Sequence, residues 1–237
     1  MRRVTTSLLL LTLVLGPFPA LARDVVVRIT NLTNAIYFTP LLVAAHRPKT
    51  DLFDVGLPAS RELQMVAEGG QTEALAAAVV ASGGRVLNNP AGGLLAPGQT
   101  AVARLRVEDR HRRISVVAML LPTNDGFVGL DAQPLPLWPS RRTYYVNGYD
   151  AGTEANDELI TGGGMPGEPG IPGDPSGLGG INGTGVAGPD HSATVHIHRG
   201  IVGDLDSVGG VSDLNQAQHS WQGPVARIVV VTRQAAH

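Results

Sequence analysis

The apolar run from Ile114 to Leu121 has strand length and shows no alternation of wet and dry positions, so it belongs in the middle of a core rather than on a half-exposed sheet. Other segments supply strands around it. Asp24 to Thr30 is β-branched and closes on the turn-forming cluster Asn31 to Asn34. Thr100 to Val107 sets Val102, Arg104 and Arg106 on one face and Ala101, Ala103, Leu105 and Val107 on the other, the pattern of a strand with one buried side. Phe127 to Leu130, Thr143 to Val146, Ala193 to His198 and Val225 to Arg233 complete the series. Ile36 to Ala45 is a further extended candidate in which Pro40, lacking an N–H, must sit at an edge or a bulge. Between Ser60 and Ala81 the period changes, and Thr72 precedes the strong helix formers Glu73 to Ala78, so one or two short helices are inserted between strands. With 30 Gly, 17 Pro and only 16% charged residues, the chain is neither a charge-rich disordered polymer nor a helical bundle. The expectation is an all-β domain.

Arg2 and Arg3, the apolar run Leu8 to Leu15, the breaker Gly16 to Pro19 and the small residues Ala20-Leu21-Ala22 read as an export signal cleaved after Ala22. The run is about half the roughly 20 residues that a membrane-spanning helix needs, and no later segment is long enough. The expected organisation is therefore a signal over 1–22 and one exported domain over 23–237, periplasmic or secreted. The formal charge is −2, and −4 once the signal leaves, which argues against a nucleic-acid partner. The chain has no cysteine, so disulfides, thiol catalysis and cysteine-based zinc sites are excluded. An exported domain of this kind needs a sufficient core or another staple, such as an ion held by oxygen ligands.

Residues 161 to 190 hold 12 Gly and 5 Pro in 30 positions and bury little apolar surface, which predicts a long, mobile loop. Gly164, Gly167, Gly170 and Gly173 recur at every third position; four triplets are too few for a collagen helix and read as a polyproline-like linker.

Candidates for chemistry are few. No Gly-x-Ser-x-Gly elbow, thiol or phosphate-cradling motif is present. His196 and His198 alternate on the expected strand and could share a zinc or copper ion if His191 or His219 approached, which would suit a metal hydrolase; otherwise they face solvent opposite a buried Val195 and Ile197. The acidic loops are the richer feature. Asp125 sits in Asn-Asp-Gly before a strand, and Asp150-Ala-Gly-Thr-Glu154 follows another strand with a glycine that lets the loop turn back. Calcium takes six to eight oxygens, and loops at one end of a sheet can gather Asp125, Asp150 and Glu154 around it; equally, such acids can be solvated turn residues. Asp131, Asp157 and Glu158 are neighbouring acids read as solvated.

The segments Thr39-Pro-Leu-Leu-Val-Ala-Ala-His46, Leu120-Leu-Pro-Thr-Asn-Asp-Gly-Phe-Val-Gly-Leu130, Tyr149-Asp-Ala-Gly-Thr-Glu154 and Trp221 to Arg233 resemble the spondin domain, the β-sandwich module of F-spondin that also occurs as a stand-alone exported bacterial protein. The resemblance spans roughly Asp24 to Arg233. It implies an eight-stranded antiparallel sandwich with likeness to calcium-dependent C2 domains. It also implies a calcium ion held by Asp125, Asp150 and Glu154, where the animal form looks like Asp at the last position. Animal members carry cysteines that this chain lacks, and the glycine-rich stretch has no counterpart in them. The function expected is that of a non-enzymatic binding or adhesion module whose ion clamps loops at one end of the sandwich. The alternative is a calcium-dependent binder of membrane or glycan. The partner is an unidentified protein, glycan or lipid surface.

Overall fold

The computed structural model describes residues 22–136, 139–186 and 192–234, so the export signal expected over residues 1–22 lies outside them apart from Ala22. Eight strands of four residues or more form the frame. They are β1 (Ala22–Asn31), β3 (Leu42–His46), β4 (Arg85–Asn88), β5 (Thr100–Glu108), β6 (Arg113–Leu121), β7 (Gly126–Pro134), β8 (Ser140–Val146) and β11 (Ala226–Gln234). Short pairings add β2 (Tyr37–Phe38), β9 (Gly148–Asp150) and β10 (His196–Ile197), and the helices are α1 (Arg61–Gly69), α2 (Glu73–Ala81) and α3 (Gln216–His219). One sheet runs β5-β1-β11-β8; the other runs β10-β9-β7-β6-β3-β4, with β2 attached to β6. The paired strands are antiparallel throughout. The stretch from Ile36 to Ala45 divides at Pro40, which falls in the gap between β2 and β3 where no ladder N–H is demanded of it.

The burial of β6 explains the architecture. Its alternate residues Ile114, Val116, Ala118 and Leu120 join Val25, Val27, Ile29, Ile228 and Val230 of the other sheet in the core of the sandwich. Val117, on the opposite face, joins Leu42, Ala44 and Phe127 beneath the helices, where Leu63, Val66, Leu75 and Val79 cover it. A strand clothed on both faces has no room for alternation, which is why its sequence shows none. By contrast β5 has a single dry face, Ala101, Ala103, Leu105 and Val107, and its alternation follows.

The helix start is local chemistry. Ser60 Oγ accepts the Leu63 N–H at 3.1 Å, and the helix stops at Gly70, whose φ of +67° is left-handed. Ser60→Ala is expected to cost about 1 kcal/mol. A calorimetric midpoint lower by about 2–4 °C would register it.

The glycine-rich stretch is not a polyproline helix. Gly164, Gly167 and Gly170 have φ of +107°, +86° and +111°, far from the negative φ that such a helix needs. Residues 160 to 186 instead fold against residues 201 to 214. Ile160 and Ile171 form a parallel bridge, and Ile171 is buried with Ile201 and Leu214. Carboxylates do the stapling. Glu158, expected to be solvated, is buried; its oxygens accept the Val202 and Gly203 N–H groups at 2.7 and 2.8 Å and the Ser212 hydroxyl at 2.6 Å. Asp213 accepts from Ile160 and Gly183, at 2.8 and 2.9 Å. Burial opposes the charge of Asp174, but bonds from His219, Ser176 and Gly179 outweigh it and hold its carboxyl well below the usual range. In a chain without disulfides, these multiply bonded acids tie together segments that bury little apolar surface.

Candidate functional site

Asp125 lies at the turn entering β7 and Asp150 ends β9, and the ladder that pairs Gly126 with Asp150 and Phe127 with Tyr149 brings the two acids side by side. Aromatic packing fixes this corner. Phe127 meets Phe53 edge-on with centroids 5.1 Å apart and stacks on Tyr149 at 5.6 Å. After Asp150 the chain turns at Gly152, φ +70°, where a Cβ would lie 2.5 Å from Ser192 O and 2.6 Å from Thr194 N. Only glycine fits that turn. The turn aims the N–H groups of Thr153 and Glu154 at Asp125 Oδ2, which accepts them at 2.7 and 3.1 Å. Asp150 accepts from its own loop, through the Gly152 N–H at 2.8 Å and the Asn156 amide at 2.6 Å, and His196 Nδ1 stands 3.7 Å from its Oδ1.

The remaining oxygens differ. Asp125 Oδ1 and Glu154 Oε1 are buried without a hydrogen-bond partner. Asp125 is fully buried, and burial followed by the charge of Asp150 pushes its carboxyl up to about 7 despite the bonds from Thr153 and Glu154. Glu154, half-buried, is pushed up to about 7 by burial and by the charges of Glu68 and Asp125. Its Oε2 accepts the Gly170 N–H at 3.2 Å, so the glycine-rich stretch closes over the acidic corner.

A neighbour of this corner left no signal in the sequence. Glu68, on the last turn of α1, is fully buried, accepts from Gln64 at 2.8 Å and binds the Gly167 N–H at 2.8 Å. Nothing in a helical Glu announces a contact 99 positions away. Asn124, beside Asp125, is a further residue that the sequence did not single out; its amide donates to Asp157 at 2.8 Å and its oxygen accepts the Glu158 N–H at 3.2 Å. Asp131 likewise has partners: Oδ1 accepts from Leu52 N–H and Ser115 Oγ, at 2.9 and 2.8 Å.

The histidine reading does not hold. The expected strand from Ala193 to His198 is reduced to the two residues of β10, so the chain leaves the sheet on either side and alternation fails. Val195 is buried, but Ile197 is 58% exposed, and His198 is buried against Trp221 with ring centroids 5.0 Å apart. His196 Nδ1 is 2.9 Å from Thr194 O, while His219 is engaged by Ser176 and Asp174 at 3.0 and 3.5 Å; His191 lies outside the described residues. Among the described residues, no three His, Asp or Glu side chains form a ready-made metal cluster, and that applies to the acidic corner as it stands. Its donor set nevertheless suits a hard cation, because two buried carboxylate oxygens there have no proton donor. A depression of about 550 Å³ between β7 and β8 contains none of the three acids.

Among the described residues no helix is long and apolar enough to cross a membrane. No curated protein matches the chain. The family model described as Spondin_N matches residues 30–159, which include Asp125, Asp150 and Glu154. That match covers more than half of the sequence and coincides with the two-sheet architecture around β6, and on this ground the chain belongs to the spondin N-terminal domain family.

Proposed function

We propose that this protein is an exported, non-catalytic binding module whose acidic corner holds one calcium ion. Spondin domains are typically extracellular binding modules, and the two-sheet frame here is of that kind. The observation that carries the reading is the pair of buried, unpartnered oxygens, Asp125 Oδ1 and Glu154 Oε1, on acids whose ionisation is opposed by burial and by neighbouring carboxylates. A divalent cation would relieve that opposition. Asp125, Asp150 and Glu154 would supply ligands, and water and backbone carbonyls the rest. The clamp would join the entry of β7, the end of β9 and, through Glu154 and Gly170, the glycine-rich stretch. Export would end in the periplasm or outside the cell, and the ion would stabilise a binding surface for a protein, glycan or lipid partner.

Calorimetric titration tests the site directly. One calcium per chain is expected at neutral pH, with affinity lowered at least tenfold in Glu154→Gln, which keeps the acceptor but loses the charge. Absence of calcium binding to the chelator-treated, folded protein would refute the assignment.

A further inference from the structure

The four-stranded sheet has an outer face that no helix among the described residues covers in the way α1 and α2 cover the other sheet, and the register decides what stands on it. Cross-strand partners share a face. The rows are Arg106, Asp24 and Arg233; then Arg104, Val26, Val231 and Arg141; then Val102, Arg28, Val229 and Thr143; then Thr100, Thr30, Arg227 and Tyr145. Six arginines are thus gathered on one face with a single carboxylate, Asp24, within those rows. All six are exposed, and none makes a side-chain hydrogen bond or ion pair among the described residues. Glu108, one row further out, is already engaged by Arg85 and Arg110 at 3.4 and 3.1 Å. The net charge of the chain conceals this segregation. A depression of about 380 Å³ opens on the same face, lined by Arg104, Arg106 and Arg233 with Asp24 and Val26 between them.

We infer that this arginine face is a docking surface for an anionic lipid bilayer, acting independently of calcium. The spread of the charges selects that occupant. With strands about 4.8 Å apart and same-face residues about 6.8 Å apart, the array covers about 14 by 20 Å. No strand and no cross-strand row contains more than two of the six. A linear polyanion lying along either axis meets two cations, whereas a plane of headgroups meets all six. Long arginine stems accommodate the twist of the sheet while their guanidinium groups bind phosphate oxygens in pairs. Tyr145, 64% exposed, is the one large apolar side chain presented in these rows, so binding is electrostatic and superficial rather than insertive.

The test is co-sedimentation of the purified protein with phosphatidylglycerol–phosphatidylcholine vesicles in chelator, which keeps it separate from the calcium reading. Binding is expected at low salt, absent on pure phosphatidylcholine and lost at 0.5 M salt, a condition that shortens the screening length to about 4 Å or less. Each arginine removed should weaken partitioning about fivefold, so R104Q/R106Q loses about 25-fold, as does R28Q/R227Q on other strands. Equal melting of parent and variants shows that the loss is not unfolding. No binding of the folded parent to anionic vesicles at low salt overturns the inference. Retention of binding by both double variants overturns it too, as does binding to dextran sulfate with none to vesicles.

Discussion

Calcium added to chelator-treated protein at pH 7.5 is expected to raise the melting temperature by about 5–10 °C. A ligand at a hundredfold excess over its Kd contributes about 2.7 kcal/mol, and a domain of this size gains about 2–4 °C per kcal/mol. Asp125→Asn should invert the order of stability. Its side-chain oxygen can still accept from Thr153 and Glu154, but the buried charge beside Asp150 is gone. In chelator at pH 8 the variant should therefore melt at or above the parent; in calcium it should melt below it. The pH profile carries the same sign. Asp125 and Glu154 ionise near 7 in the folded protein against ordinary values of 3.8 and 4.5, so the folded state holds protons that the unfolded chain releases. Their contribution is greatest below about pH 4 and is lost as pH rises toward and through 7, giving a chelated parent that melts lower at pH 8 than at pH 5.5. Calcium should flatten that fall by competing with the protons. A variant that keeps the full calcium shift would remove Asp125 from the site.

Phe127→Ala should be the most destabilising single change near the site. The ring is fully buried, meets Phe53 and Tyr149 and supports the helix-covered face of the larger sheet. Truncating such a ring costs about 3–5 kcal/mol, because the cavity left behind collapses only in part. A fall in melting temperature on the order of 10 °C is expected. The site should loosen with it, since Phe127 and Tyr149 are cross-strand partners placed within two residues of Asp125 and Asp150. Phe127→Leu, retaining much of the volume, should recover most of the stability and the calcium affinity. Unfolding midpoints equal to the parent for the alanine variant would mean that the corner is held by its hydrogen bonds alone.

Where packing imposes a period, the sequence was readable. The unbroken run of β6 and the alternation of β5 follow from burial on two faces and on one, and the two helices fall where the change of period and the strong formers after Thr72 place them, although Thr72 makes no side-chain cap bond and the cap that Ser60 supplies to the first helix was not read. Asp125 and Asp150 each sit at a strand end with turn residues beside them, which left a solvated reading equally open; the family resemblance is what paired them, and the ladder of Gly126 with Asp150 sets them side by side. Features built from single long-range contacts were not readable. Residues 160 to 186 bury one isoleucine fully and otherwise depend on acids donated by distant loops, so composition suggested a linker where the chain has a defined course. Glu68 accepts the N–H of Gly167, 99 positions away along the chain, and no periodicity encodes that. His196 and His198 misled because alternation requires a paired strand, and β10 is two residues long.

The place of β11 sets the order of events in folding. It lies between β1 and β8, so the first strand described finds one of its two neighbours some 200 positions later, as in the pairing of Arg23 with Gln234. Until residues 226–234 are available, β1 and β8 have no common neighbour, and the smaller sheet cannot close over the core side of β6. Such distant closure makes folding slow, on the order of milliseconds to seconds for β-rich topologies. On the proposed reading of the protein as exported, this delay would be useful: a polypeptide threaded across a membrane from its N-terminus would stay translocation-competent until its last strand had followed the rest through.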